Sequence, residues 1–221
     1  MSEYPLPEDL GLIIDLALTE DIGDGDITSL LIPEDCSVKA HIICKENAIL
    51  CGTPWVSEVY KKIDNSIRIE WNFEEGTCVE VGDSVASITG QARTILTGER
   101  TALNFLQTLS GTATIVREYL IALKGTNTKL LDTRKTLPGL REAQKYAVKV
   151  AGGTNHRRGL YDAYLVKENH IKSCGSISKA LAEARRINPN KFLEVEVQNI
   201  DEFKEALCSK PDMIMLDNFQ L

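Results

Sequence analysis

The sequence has 221 residues, of which 43% are hydrophobic and 26% are charged, a composition ordinary for a globular protein of one or two domains. The formal net charge is -7 at pH 7. No window approaches the roughly 18 unbroken apolar residues of a membrane-spanning helix, and the N-terminal stretch MSEYPLPEDL lacks the apolar core of a secretory signal. We therefore expect a cytoplasmic protein without a membrane partner.

The first half of the chain has the pattern of an α/β sandwich. DLGLIIDLALTE has the periodicity of a helix, whereas SVKAHIICKENAIL, IRIEWNF and CVEVGDSVASITG have the short β-branched runs of strands. EGTCVEVGDSVASITG also resembles the hairpin of lipoyl and biotinyl carrier modules. A carrier function is disfavoured, because those modules need a lysine at the exposed hairpin tip and this stretch has none.

The second half predicts consecutive βα units. Helical periodicity covers LTGERTALNFLQTLSGTATIVREYLIALKG, with a break predicted at Ser110-Gly111. After Gly125, the predicted strands KLLDTRK, AYLVKENH, FLEVEV and MIMLDN alternate with helices predicted at 139–150, 176–187 and 200–208. Such units require a parallel sheet with helices outside it.

A charged residue lies at or near the end of each of these predicted strands. The residues are Arg134 with Lys135, Lys167, Glu196 and Asp217. The carboxyl ends of the strands form the active-site rim of a β/α barrel. A charge at one strand end is readily explained as a solvated loop residue, but charges at four successive strand ends favour a functional site. Glu194 shares a strand face with Glu196 and is kept as an alternative to it.

The basic residues are concentrated in the segment from Asp132 to Lys172. This segment carries nine Lys or Arg and four Asp or Glu, although the whole chain is acidic. Long-range repulsion between the acidic remainder and a polyanion argues against nucleic acid, so a small, multiply charged anion is the expected ligand.

The turn GGTNHRRGL lies within this basic segment. Its glycines permit close backbone approach, and we expect His156 and Arg157 to project toward a carboxylate. For Arg158 and His41 we expect structural or surface roles. His170 is equally compatible with a ligand contact and with a supporting hydrogen bond.

The cysteine pattern excludes two classes of site. Cys36, Cys44, Cys51, Cys78, Cys174 and Cys208 form no C-x-x-C pair and have no histidine at ligand spacing. This pattern argues against a disulfide framework and against a zinc site. We expect reduced thiols, most of them packed in the interior.

Long stretches of the chain resemble the quinolinate phosphoribosyltransferase family. They are LALTEDIGDGDITSLLIP, GERTALNFLQTLSGTAT, LLDTRKTLPGLREAQKYAVKVAGGTNHRRGLYDAYLVKENHI, LEVEV and MIMLDN. The resemblance implies an N-terminal α/β sandwich domain over residues 1–110 with a connecting helix, packed on an incomplete β/α barrel over residues 111–221. It also implies a homodimer that makes nicotinate mononucleotide from quinolinate and phosphoribosyl pyrophosphate, with magnesium.

The resemblance also implies a role for individual residues. Arg134, His156, Arg157 and Lys167 would bind quinolinate. Lys135 and Thr133 would lie at the phosphoribosyl donor, and Glu196 and Asp217 would hold its magnesium ion. Lys135, Glu196 and Asp217 are thus the expected catalytic residues, and Arg100 would reach the partner subunit's site.

The chain departs from the family pattern at two places. Ala151 stands where the family has a third glycine, which we expect to be tolerated if the φ angle there is negative. Family members continue past LDN with further barrel strands, so the barrel is truncated in this chain, and we expect an omitted tail rather than a fragment. A non-catalytic homologue, such as an accessory protein of molybdate transport, and a dimerising or regulatory fragment remain as alternatives.

Overall fold

The computed structural model describes residues 4–220, which form two compact units that divide between His156 and Arg157. Met1–Glu3 of the acidic N-terminal stretch lie outside the described residues. Within residues 4–220, no helix is long and apolar enough to cross a membrane.

The first unit combines short antiparallel strands with four helices. Its elements are α1 (Leu10–Ile22), a 3-10 helix (Ser29–Leu31), β1 (Ser37–Ile43), β2 (Ala48–Ile49), α2 (Thr53–Ile63), β3 (Arg68–Trp71), β4 (Cys78–Val79), β5 (Ser84–Gln91), α3 (Ala92–Ala122) and α4 (Arg141–Val150). One antiparallel sheet has the order β1-β5-β3, and β2 pairs with β4. The core lies between these strands and the helices, with Trp55, Ile14 and Leu109 fully buried.

Helix α3 is continuous over 31 residues, so the break predicted at Ser110-Gly111 is wrong. The Ser110 hydroxyl accepts a hydrogen bond from the backbone N–H of Cys51 and donates one to the C=O of Cys51, each at 3.0 Å. One turn later, the Thr114 hydroxyl accepts from the N–H of Ile49 at 2.9 Å. These side chains complete the hydrogen bonding beside the two-residue strand β2, and this tertiary contact outweighs the weak helix propensity of serine and glycine.

The segment KLLDTRK is not a regular strand, contrary to the prediction. Leu131 forms a single parallel bridge with Thr154, through bonds from Thr154 N to Leu130 O (2.9 Å) and from Asp132 N to Thr154 O (3.1 Å). The chain then turns, because the Thr133 hydroxyl accepts from the N–H of Lys135 at 3.0 Å. This local side-chain bond ends the pairing after one residue.

The second unit is a three-stranded parallel sheet with helices packed on one face. Its elements are β6 (Ala163–Val166), α5 (Glu168–Cys174), α6 (Ile177–Ile187), β7 (Phe192–Val197), α7 (Ile200–Ser209) and β8 (Met213–Leu216). The strand order is β6-β7-β8, as expected for consecutive βα units. Leu193, Val195 and Val197 of β7 are buried in a cluster with the apolar faces of α6 and α7. Helix α5 was not predicted.

The cysteine prediction is partly wrong. Cys51 is buried, Cys36 and Cys44 are half-buried, and Cys78, Cys174 and Cys208 are exposed, so one of the six thiols is fully packed in the interior. Cys174 is the last residue of the short helix α5, which is terminated by the left-handed backbone conformation of Gly175.

Candidate active site

Three predicted site residues lie at the carboxyl edge of the parallel sheet in the second unit. Lys167 follows β6, Glu196 is the penultimate residue of β7, and Asp217 follows β8. The pairing extends one residue past β8, because Asp217 N donates to Val197 O at 2.9 Å. Since side chains alternate along a strand and Val195 faces the helices, Glu196 lies on the opposite face of the sheet.

Lys167 and Glu196 are in direct contact. The Lys167 Nζ lies 2.6 Å from the Glu196 Oε2, with the lysine side chain 46% exposed and the glutamate 13% exposed. Glu194, two residues earlier, is only 1% exposed. Of the two glutamates, Glu196 is therefore the more accessible at this edge. The Nδ1 atom of His170 accepts from Lys167 N at 2.9 Å, so His170 caps the start of α5.

Glu196 and Asp217 are the carboxylates at this edge that could hold a metal ion. Across residues 4–220, no cluster of three or more His, Cys, Asp or Glu side chains forms a complete metal site. Mg²⁺ typically takes one or two carboxylates and completes its shell with water and substrate phosphates. The donor chemistry of these two carboxylates is therefore suited to magnesium.

The loop from Arg157 to Asp162 precedes this sheet and is closed by one carboxylate. Asp162 accepts from the N–H of Arg158 at 2.7 Å and from that of Gly159 at 3.1 Å. Burial raises the pKa of Asp162, but these backbone donors and the nearby Arg157 guanidinium more than offset this, leaving the pKa below its ordinary value. Arg157 donates through Nη1 to Ala163 O at 3.4 Å, and Arg158 is exposed.

In the first unit, the segment that carries Thr133, Arg134 and Lys135 is held by helix α4. Leu137 N donates to the side-chain oxygen of Gln144 at 2.8 Å, and Arg141 donates through Nη2 to Arg134 O at 3.5 Å. Thr133 and Lys135 are exposed. Among the described residues, the Arg134 Nε is buried without a hydrogen-bond partner. A buried guanidinium donor of this kind is suited to an anionic ligand.

The turn after α4 requires its two glycines. Ala151 has a φ of -71°, which meets the condition under which an alanine is expected to be tolerated there. Gly152 has a φ of +99°, which favours glycine. A Cβ atom on Gly153 would lie 2.7 Å from Val148 Cγ1 and 3.1 Å from Val148 O. The close approach of this turn to α4 therefore depends on glycine at both positions.

A buried polar network fixes the end of this turn. Asp132 and Lys145 form an ion pair whose side chains are 8% and 2% exposed. Asp132 also accepts from His156 N at 2.8 Å and from Asn155 Nδ2 at 2.7 Å, while Lys145 donates to His156 O at 3.1 Å. We call Asp132, Lys145, Asn155 and the His156 backbone the His156 clamp. The sequence gives no indication of this network, because a lysine in an amphipathic helix is expected to be exposed.

Arg100 lies on helix α3, outside the segments that carry the other predicted site residues of the first unit. It is exposed on α3, and within residues 4–220 it has no ion pair or hydrogen bond. Neighbouring α3 hydroxyls bind the preceding segment, since Thr97 donates to Asp26 at 2.9 Å and Thr101 to Asp21 at 3.2 Å. Large apolar side chains are exposed on that segment and on α1, namely Leu12, Leu16, Ile27, Leu30 and Leu31.

Comparisons with known proteins agree with this architecture. Models of the N-terminal and C-terminal domains of quinolinate phosphoribosyl transferase match residues 26–110 and 112–221. A probable carboxylating nicotinate-nucleotide pyrophosphorylase of Bacillus subtilis is 40% identical over 200 residues, which are 90% of this chain and 69% of that protein. One from Synechocystis is 41% identical over 202 residues, with coverages of 91% and 68%.

A solved structure of the nicotinate-nucleotide pyrophosphorylase from Francisella tularensis matches with a TM-score of 0.94 and 46% identity. The match covers 100% of this chain and 79% of that one. The α/β fold class with a truncated barrel and the family resemblance are thereby confirmed, whereas the domain boundary at 110/111 and the individual site roles stay predictions. The chain belongs to the quinolinate phosphoribosyltransferase family.

Proposed function

We propose that this protein transfers the phosphoribosyl group of phosphoribosyl pyrophosphate to quinolinate. The products are nicotinate mononucleotide, pyrophosphate and carbon dioxide, in the de novo synthesis of NAD. The observation that carries this proposal is the placement of Lys167, Glu196 and Asp217 at the carboxyl edge of the parallel sheet, in a chain of this family. That edge is where β/α proteins carry their catalytic residues.

Quinolinate is a pyridine with two carboxylates, and four basic residues are proposed to bind it. They are Arg134, His156, Arg157 and Lys167. The buried Arg134 Nε supports this assignment, because a carboxylate would give that donor a charge-assisted partner. Lys167 would exchange part of its bond with Glu196 for a substrate carboxylate.

Lys135 and Thr133 are proposed to bind the phosphoribosyl donor. The bond from Lys135 N to the Thr133 hydroxyl orders this turn and leaves the ammonium group exposed. Glu196 and Asp217 would hold magnesium, which supplies positive charge to the pyrophosphate as it departs. The remaining work is positioning, because the pyridine nitrogen itself attacks the anomeric carbon of the ribose and no enzyme nucleophile is needed.

Decarboxylation follows from the charge that this attack creates. Once the ring nitrogen is bonded to ribose it is positively charged, so the bond between C2 and its carboxylate can break with the electron pair left on C2. Carbon dioxide departs uncharged, which is favoured where water is excluded. C2 then takes a proton, for which Lys135 is our candidate donor.

A homodimer with Arg100 contributed across the interface is also proposed. The exposed Arg100 and the apolar side chains on α1 and the 3-10 helix support it, since exposed apolar patches commonly mark protein interfaces. We further propose a cytoplasmic location without nucleic-acid or membrane partners, because the net charge of -7 disfavours a polyanionic partner.

The proposed reaction is tested by its product balance. Quinolinate labelled at the 2-carboxylate is incubated with phosphoribosyl pyrophosphate and Mg²⁺, and released carbon dioxide and pyrophosphate are both quantified. We expect equal amounts of the two products and no release without the donor. A folded protein that releases neither would contradict the proposal and favour a non-catalytic homologue.

The magnesium assignment is tested by metal titration. Excess chelator should abolish activity and added Mg²⁺ should restore it, because Glu196 and Asp217 would otherwise repel the donor's pyrophosphate. Asp217→Asn should raise the Mg²⁺ concentration for half-maximal activity by about tenfold or more. Asp201→Asn, which removes an exposed carboxylate on α7, is the matched control. Activity unchanged in excess chelator would refute the assignment.

A further inference from the structure

The His156 clamp fixes one residue of the proposed site at both of its backbone polar groups. Asp132 Oδ1 accepts from His156 N, and Lys145 Nζ donates to His156 O. Asn155 crosses the network, since its Nδ2 donates to Asp132 Oδ2 at 2.7 Å and to Lys145 O at 2.8 Å. The His156 peptide groups therefore have a single orientation relative to α4.

A contribution to stability does not by itself explain why the ion pair between Asp132 and Lys145 is buried. Taking two charges out of water is costly, and apolar residues of similar volume often stabilise a fold equally well or better. Apolar packing, however, cannot fix the orientation of a peptide group. Charge-assisted hydrogen bonds fix the angle as well as the distance of the groups that they join.

The clamp connects two segments that carry proposed substrate-binding residues. Asp132 comes directly before Thr133, Arg134 and Lys135, and His156 ends the glycine turn that follows α4. We propose that Asp132 and Lys145 are positioning residues, which set His156 relative to Arg134 so that both meet the carboxylates of quinolinate. This inference rests on the proposed function, because it assigns an effect on quinolinate binding to groups that do not touch it.

Asn155→Ala tests the proposal without leaving an unpaired buried charge. The variant loses two hydrogen bonds of the clamp but keeps the ion pair between Asp132 and Lys145. We expect the KM for quinolinate to rise by roughly tenfold, the equivalent of about one lost hydrogen bond, with kcat and the KM for phosphoribosyl pyrophosphate within about twofold of wild type. Lys149→Met, which removes an exposed charge from the same helix, is the control and should leave all three constants unchanged.

A second variant removes the ion pair as a unit. Lys145→Met alone would leave the Asp132 carboxylate buried and uncompensated, so it is combined with Asp132→Asn, which keeps an acceptor for His156 N. The double variant should show the same selective rise in the KM for quinolinate, and a larger one. The thermal unfolding curve of each variant is compared with that of the wild type to establish that the variant is folded.

The outcomes separate this inference from the proposed function. Folded variants with a wild-type KM for quinolinate would overturn the positioning role, and so would a uniform loss of kcat or of folding in both variants. A wild-type protein that does not consume quinolinate would instead overturn the proposed function.

Discussion

Three consecutive residues, Ala151, Gly152 and Gly153, decide how close the turn after α4 lies to that helix. Ala151 continues the helical backbone, Gly152 adopts a positive φ, and Gly153 packs where a Cβ atom would contact Val148. The branched Val148 side chain has little freedom to move aside, because its χ1 angle is restricted in a helix. The geometry of the turn therefore depends on the absence of a single methyl group.

Gly153→Ala should destabilise the protein and disturb the turn together. Overpacking of this kind costs about 1–3 kcal/mol of the free energy of unfolding. We expect a loss in that range in urea unfolding, accompanied by a higher KM for quinolinate. The matched control is Gly111→Ala, which adds the same methyl group at a position where it meets no atom within 4 Å and should not lower the free energy of unfolding. An unfolding free energy of Gly153→Ala equal to wild type would contradict the close approach.

Helix α3 shows how tertiary contacts override local helix propensity. Ser110 and Thr114 are poor helix formers, yet their hydroxyls bind the backbone of Cys51 and Ile49 and thereby anchor the helix. Gly111 faces open space, with no atom within 4 Å of the position of a Cβ. It contributes nothing to packing that would explain a glycine inside the helix.

Gly111→Ala should therefore stabilise the protein. Alanine favours an exposed helix interior over glycine by about 0.8–1.0 kcal/mol, and the added methyl group meets no neighbour. We expect the urea-unfolding midpoint to rise. Ser110→Ala, in contrast, should lower it, because the Cys51 peptide groups would lose their partner. A fall in stability for Gly111→Ala would show that the helix is not continuous there in solution.

Sequence patterns predicted most elements, and the failures have physical causes. Helical periodicity identified α1, α4, α6 and α7, and short apolar runs that end near a charged residue identified the strands β6 to β8. The strand pattern failed at KLLDTRK, where the hydroxyl of Thr133 ends the strand pairing through a local bond. Neither pattern indicated the burial of Asp132 and Lys145, because their positions in the sequence look like those of ordinary surface charges.

Positive charge in this acidic chain is concentrated in the segment that carries most of the proposed substrate-binding residues. The net charge is -7, whereas residues 132–172 have an excess of basic side chains. The remaining proposed cation, Arg100, lies outside this segment on an exposed part of α3. This separation is explained if Arg100 serves the site of a second copy of the chain.

Complementation between two inactive variants tests the shared site. Arg100→Ala and Arg134→Ala should each be inactive as homodimers, while a heterodimer would contain one site with neither substitution. With equal mixing and full exchange, we expect about a quarter of wild-type activity to return. Native mass spectrometry verifies the exchange. If heterodimers form and no activity returns, Arg100 does not act across the interface.

We propose that the basic residues of this chain recognise a pyridine with two carboxylates. Nicotinate lacks the 2-carboxylate, so it would leave part of the positive charge of Arg134, His156, Arg157 and Lys167 without a partner. Losing a buried charge-assisted partner costs about 2–5 kcal/mol, or roughly thirtyfold to several thousandfold in affinity.

The most direct measurement is kcat/KM for quinolinate and for nicotinate with the same donor. We predict a preference for quinolinate of at least about thirtyfold. Equal use of the two substrates would contradict the claim.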